Sequence, residues 1–158
     1  MKNIYKSFFL VPLLILYACG YSPLYKAQKI NFNINDIQTN NKNDYYYLFK
    51  NSLKPYTKEN QTDLKDLILK ANLSKVKRIF SKDSKGNALV YSLEITLNLE
   101  AFNNDNLILN KNIRKKFKYN HKSDLFDLNR YEENIEKNLI KSISEDVIFL
   151  LSKSIEEK

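Results

Sequence analysis

Between Leu89 and Ala101 seven apolar side chains (Leu89, Tyr91, Leu93, Ile95, Leu97, Leu99 and Ala101) alternate with Val90, Ser92, Glu94, Thr96, Asn98 and Glu100. A period of two sends these seven to one face of an extended chain, whereas a helix would scatter them around its axis. The stretch is therefore a long β-strand with one face to bury. Turn chemistry brackets it: Asp83-Ser84-Lys85-Gly86-Asn87 precedes it and Asn103-Asn104-Asp105-Asn106 follows. Upstream, Lys65 to Phe80 places Leu67, Leu69, Ala71 and Leu73 on one face, then shifts its apolar phase to Val76 and Phe80. That shift predicts a bulge near Ser74 or Lys75. Downstream, Leu107 to Tyr119 carries Leu107, Leu109, Ile113, Phe117 and Tyr119 in the inward phase. Two tight turns joining three long strands make an antiparallel meander.

A sheet with one apolar face needs a cover. Asp44 is placed to cap a helix with Tyr45, Leu48, Phe49, Ser52 and Leu53 at helical spacing, and Pro55 stops it. A longer helix is predicted from about Asn129, with Asn129 and Glu132 as a capping box. Its apolar stripe is Tyr131, Ile135, Leu139, Ile143, Val147 and Leu150. Ahead of the first helix, Lys29 to Gln38 alternates Ile30, Phe32 and Ile34 with asparagines, a short strand with one polar face. The reading is an α+β fold of order β-α-β-β-β-α: two amphipathic helices packed on one face of a largely antiparallel four-stranded sheet. At 158 residues and 43% hydrophobic content one core is affordable and a second domain is not expected.

The first twenty residues are of a different kind. Lys2 and Lys6 precede an almost wholly apolar run from Ser7 to Ala18, the layout of an export signal. A dozen helical residues reach about 18 Å, short of a ~30 Å hydrocarbon core, so a permanent span is not expected. The run ends Leu16-Tyr17-Ala18-Cys19-Gly20, which resembles a bacterial lipobox, with Tyr17 the one bulky departure. Cys19 is the only cysteine, so no internal disulfide can form, and a thiolate is the best nucleophile for accepting lipid. The expected organisation is a signal peptide over residues 1–18, an acylated tether over 19–28 and one α+β domain over 29–158. Several acyl chains would make the membrane attachment effectively permanent.

Cys19-Gly20-Tyr21-Ser22-Pro23-Leu24-Tyr25 resembles the mature start of the lipopolysaccharide-assembly lipoproteins (the LptE family), commonly Cys-Gly-Phe-x-Pro-Leu-Tyr, with Tyr21 replacing Phe. Phe49-Lys50-Asn51-Ser52-Leu53 is similar to the family's first-helix segment, hydrophobic-Arg-Asn-x-Leu. The resemblance implies a non-enzymatic outer-membrane protein. Its partners would be lipopolysaccharide and a large β-barrel translocon protein, which it plugs from the periplasmic side or within the lumen and helps to assemble. The residues alone leave another reading open, a lipid-anchored structural or interaction module of a different envelope assembly machine.

Catalytic constellations are not legible. His121 is the single histidine, without a cysteine partner for zinc. Gly20 and Gly86 are the only glycines, too few for a phosphate loop. Glu132, Glu133 and Glu136 fall at a predicted helix start and read as solvated. No cofactor and no metal are therefore expected. The net charge of +8 favours an anionic partner; nucleic acid would satisfy it, but an export signal argues against that. The charge is segregated: Lys111, Arg114, Lys115, Lys116, Lys118 and Lys122 come without an acid between them. In the polar phase lie Arg114, Lys116 and Lys118, joined on the neighbouring strand by Lys70 and Arg78. These five are the candidate contacts to lipopolysaccharide phosphates. Glu94 is expected opposite Arg114, and lysines on a solvated strand face also serve simply to discourage edge pairing.

Overall fold

The computed structural model describes residues 30–57 and 64–156. The expected signal peptide, Cys19 and the tether lie outside these residues. The described chain runs β1 (Phe32–Gln38), α1 (Asp44–Leu53), a 3-10 turn (Lys54–Tyr56), β2 (Lys65–Lys82), β3 (Ala88–Asn103), β4 (Asn106–Asn120) and α2 (Leu125–Glu156). This is the order expected. The sheet order is β1-β2-β3-β4, and the last three strands form the antiparallel meander. β1 pairs with β2 in parallel, so the sheet is mixed. The reason is topological: a helix separates β1 from β2, and a crossover through a helix returns the chain in the same direction.

The two hairpin turns follow from their residues. Gly86 adopts φ +87, while Asp83 Oδ1 accepts from the Lys85 and Asn87 backbone N–H groups at 2.9 and 2.8 Å. Those bonds, led by the one from the Asn87 side chain, hold the Asp83 carboxyl below its ordinary pKa. At the other end Asn104 and Asp105 take φ 47 and 63, the left-handed pair of a two-residue hairpin turn.

Both helices cover the same face of the sheet. Leu67, Leu69, Ala71, Ile95, Leu97 and Leu99 from β2 and β3 meet Phe49 and Leu53 of α1 and Ile140, Ile143, Val147 and Leu151 of α2, all essentially inaccessible to water. Burying a side chain of this size is worth about 1.5–3 kcal/mol, so this layer is the main source of stability. Tyr46 ties α1 to β1, its buried hydroxyl donating to the Ile37 carbonyl at 2.8 Å. Burial, with Asp36 nearby, raises its pKa.

Several local expectations are corrected. The α1 cap is Asn43, whose Oδ1 accepts from Tyr46 N at 2.9 Å, and Asp44 instead sits in the first turn, where its charge suits the helix dipole. α2 starts before Asn129 because Asp124 Oδ1 caps it, accepting from Phe126 N and Asp127 N at 2.8 and 3.0 Å. Leu151, rather than its neighbour Leu150, continues the buried stripe, which runs on to Ile155. No bulge occurs at Ser74: β2 stays in register with β3 from Ile68 to Ile79, and the shift falls between Ile79 and Ser81. Leu107 and Phe117 are 49% and 44% exposed: the register shift between Ala101 and Phe102 pairs Leu107 with Phe102 and turns it to the helix-free face, and Phe117 keeps the inward phase but stands on the edge strand β4.

Candidate functional site

With both helices on one side, the other face of the sheet is free of helices among the described residues. Its composition is fixed by strand parity and register. One row across β2, β3 and β4 is Arg78, Ser92 and Lys118; the next is Val76, Glu94 and Lys116; the third is Ser74, Thr96 and Arg114. Then come Asn72, Asn98 and Asn112, followed by Lys70, Glu100 and Asn110. The face thus grades from a cationic corner, through amides, to one lysine beside one carboxylate.

Four of the five candidate residues, Arg78, Arg114, Lys116 and Lys118, meet in that corner, all exposed. Adjacent strands are about 4.8 Å apart, so the three rows fit a patch roughly 10 by 13 Å. Lys70 does not join them. It stands eight residues from Arg78 on the same strand, about 26 Å away at ~3.3 Å per residue. Glu94 is the corner's one acid. It is in register with Lys116 rather than Arg114, and reaches Arg114 diagonally, Nε to Oε1 3.6 Å. Since Arg114 is 62% exposed there, the pair contributes little to stability. One carboxylate against four cations leaves the corner strongly positive.

The corner is also apolar in part, which sequence reasoning missed. Val76 and Phe80, the residues of the supposed phase slip, are 37% and 54% exposed and alternate with Arg78 on β2. Lys118 Nζ lies 3.4 Å from the centre of the Phe80 ring, a cation–π contact that keeps the ring turned toward the charges. Because β2 keeps its parity, Lys75 and Lys77 take the inward positions after Leu73, and Val76 and Phe80 point outward.

Those two lysines account for the glutamates. Lys75 bonds Glu136 at 2.5 Å and Lys77 bonds Glu132 at 2.6 Å, across the gap between β2 and α2. Glu132 also accepts the Tyr119 hydroxyl at 2.7 Å, and Lys115 bonds Asp146 at 2.6 Å. Glu132 and Glu136 are thus fastened to the sheet rather than solvated, with 15% and 17% of their side chains exposed. Desolvation, then the bond to Glu132, pushes the Tyr119 hydroxyl well above its ordinary pKa. His121 is exposed at the end of β4, its ring 5.8 Å from Tyr91. Among the described residues no group of three or more His, Cys, Asp or Glu could hold a metal ion. No helix among them is long and apolar enough to cross a membrane.

No family model matches the sequence, and no curated protein matches it. Solved structures do match. Rare lipoprotein B from Shewanella oneidensis aligns with TM-score 0.58 at 15% identity, over 78% of this chain and 96% of that one. Lipoprotein B from Nitrosomonas europaea gives 0.62 at 14%, over 84% and 90%. A minor lipoprotein from Acinetobacter baumannii gives 0.58 at 13%, over 78% and 92%. The chain has the fold of these lipoproteins. At such identities the likeness is one of architecture, and it spans nearly the whole of each neighbour.

Proposed function

We propose that the chain is an outer-membrane lipoprotein that works by binding rather than catalysis: the plug subunit of a lipopolysaccharide translocon. In this reading acylated Cys19 anchors it, a β-barrel partner surrounds it, and it assists barrel assembly and the insertion of lipopolysaccharide into the outer leaflet. The single observation that carries the reading is the corner where Arg78, Arg114, Lys116 and Lys118 surround exposed Val76 and Phe80. A ligand bearing both phosphates and acyl chains is matched by that combination, since the cations donate charge-assisted hydrogen bonds and the apolar side chains accept hydrocarbon. Each cation near an anionic surface is worth about 1 kcal/mol, so four together amount to a useful affinity. The lipobox-like Leu16 to Cys19 segment and the fold shared with lipoproteins support the same reading.

The test is lipopolysaccharide retention by the protein carrying Arg114→Glu, Lys116→Glu and Lys118→Glu, with circular dichroism as the folding control. Retention is expected to fall, and the wild-type signal to weaken as salt rises, because exposed charges are screened over ~8–10 Å at physiological ionic strength. Unchanged retention by a folded triple variant would remove the corner as the site. The anchor is tested separately: Cys19→Ser should leave the precursor unprocessed and unlabelled by radioactive fatty acid. Depletion should hold lipopolysaccharide back from the cell surface, and a detergent-stable barrel should copurify with the protein.

A further inference from the structure

At the other end of the helix-free face Asn72 and Asn98, then Lys70, Glu100 and Asn110, form the floor of a groove of about 520 Å³. Its wall is the turn after β1, where Gln38, Thr39 and Asn40 line it. This wall is pinned: Asn72 Oδ1 accepts from the Asn40 backbone N–H at 2.9 Å and from the Thr39 hydroxyl at 3.4 Å. The floor is ordered as well, since Asn112 Nδ2 donates to Asn98 Oδ1. We propose that this groove binds a neutral oligosaccharide.

Three properties carry the assignment. First, Gln38, Asn40, Asn72, Asn98 and Asn110 bring five carboxamides to one cavity. A carboxamide both donates and accepts, as does a sugar hydroxyl, so an array of amides is matched to a polyol. Second, the charge balances. Lys70 and Glu100, directly paired in register, are the only ionic side chains lining the groove among the described residues. A phosphate would face one cation beside an acid, and a metal ion would find one carboxylate. Among the described residues Leu99 is the one apolar residue lining the groove. Third, asparagine is disfavoured inside strands. Three in one row across β2, β3 and β4 run against local preference, as residues kept for binding commonly do. Phe102 follows Glu100 in the same phase just beyond the groove, with Lys70 Nζ 4.7 Å from its ring centre. The proposal does not rest on the lipopolysaccharide reading, because the groove shares none of the four corner cations.

Two sources offer this chemistry: free glucans, and the sugar core of a lipopolysaccharide. Full-length protein, purified in dodecylphosphocholine so that no sugar headgroup competes, is titrated with linear β-linked and α-linked gluco-oligosaccharides. A second arm uses core oligosaccharide stripped of its phosphates and acyl chains. Binding is followed by the side-chain amide resonances of uniformly 15N-labelled protein. At least one arm is expected to saturate, and Asn98→Ala and Asn110→Ala, both at exposed positions, should each weaken it about tenfold, or ~1.4 kcal/mol. The arm that binds identifies the source. The proposal is overturned if folded protein shows no saturation up to roughly 10 mM sugar, ten times a millimolar Kd. It is equally overturned if both variants bind as wild type does.

Discussion

Glu132 offers the sharpest test of how the sheet and α2 are held together. Its carboxylate accepts from the Tyr119 hydroxyl at 2.7 Å and from Lys77 at 2.6 Å. In Glu132→Ala the hydroxyl of Tyr119, a residue only 4% exposed, loses its acceptor, at a cost of about 1–3 kcal/mol. Lys77 keeps 39% of its side chain in water, so its share is below about 1 kcal/mol. Alanine is the better helix former, so the backbone does not add to the loss. The expected destabilisation is about 2 kcal/mol, or roughly 8 °C in Tm for a domain of this size. Glu132→Gln retains an acceptor and should recover most of it. Tyr119→Phe removes the donor but leaves Glu132 its lysine, and should cost about 1 kcal/mol. Glu136→Ala, which breaks only the partly exposed pair with Lys75, should cost less than Glu132→Ala. Urea unfolding followed by circular dichroism measures all four. A Glu132→Ala variant within about 0.5 kcal/mol of wild type would refute the reasoning, because an orphaned buried hydroxyl cannot be that cheap.

The raised pKa of Tyr119 has its own consequence: above pH ~10 the unfolded state loses a proton that the folded state keeps, so stability is intact below pH 10 and falls above it, by at most about 1.4 kcal/mol per pH unit. Tyr119→Phe should show a shallower alkaline decline between pH 9 and 11, measured as urea midpoints, and parallel curves would contradict it. Gly86 has open space where a Cβ would go but sits at φ +87, so Gly86→Ala should cost about 1–2 kcal/mol from backbone strain alone, read from its thermal unfolding. Leu97→Ala opens a cavity at a fully buried position between the sheet and its cover and should cost about 2–5 kcal/mol; a loss below 1 kcal/mol in denaturant unfolding would mean that the layer is not packed there.

The meander was legible because period two and turn chemistry act over neighbouring residues. Leu89 to Ala101 could bury one face only as a strand, and Gly86 and Asn104-Asp105 mark the reversals on either side of it. Strand parity likewise put Arg114, Lys116 and Lys118 on one face without knowledge of any neighbour. Of the candidate binding residues, Arg78 lies beside these three and Lys70 lies far from them, because parity names a face and says nothing about distance along it.

What the linear pattern mistook was β2. Its apolar phase changes after Leu73, and taken alone this reads as a slipped strand. Only the packing of α2 shows why the phase holds: Glu132 and Glu136 accept Lys77 and Lys75 at inward positions, which frees Val76 and Phe80 to stand beside the cations. The same holds for β1, whose parallel pairing depends on where α1 returns the chain, and for the amide groove, whose wall and floor come from strands far apart in sequence. Periodicity, caps and turns are local energies and can be read from the chain itself. A salt bridge between residues 55 or 61 positions apart exists only once the core has brought its partners together, so the tertiary structure alone decided it.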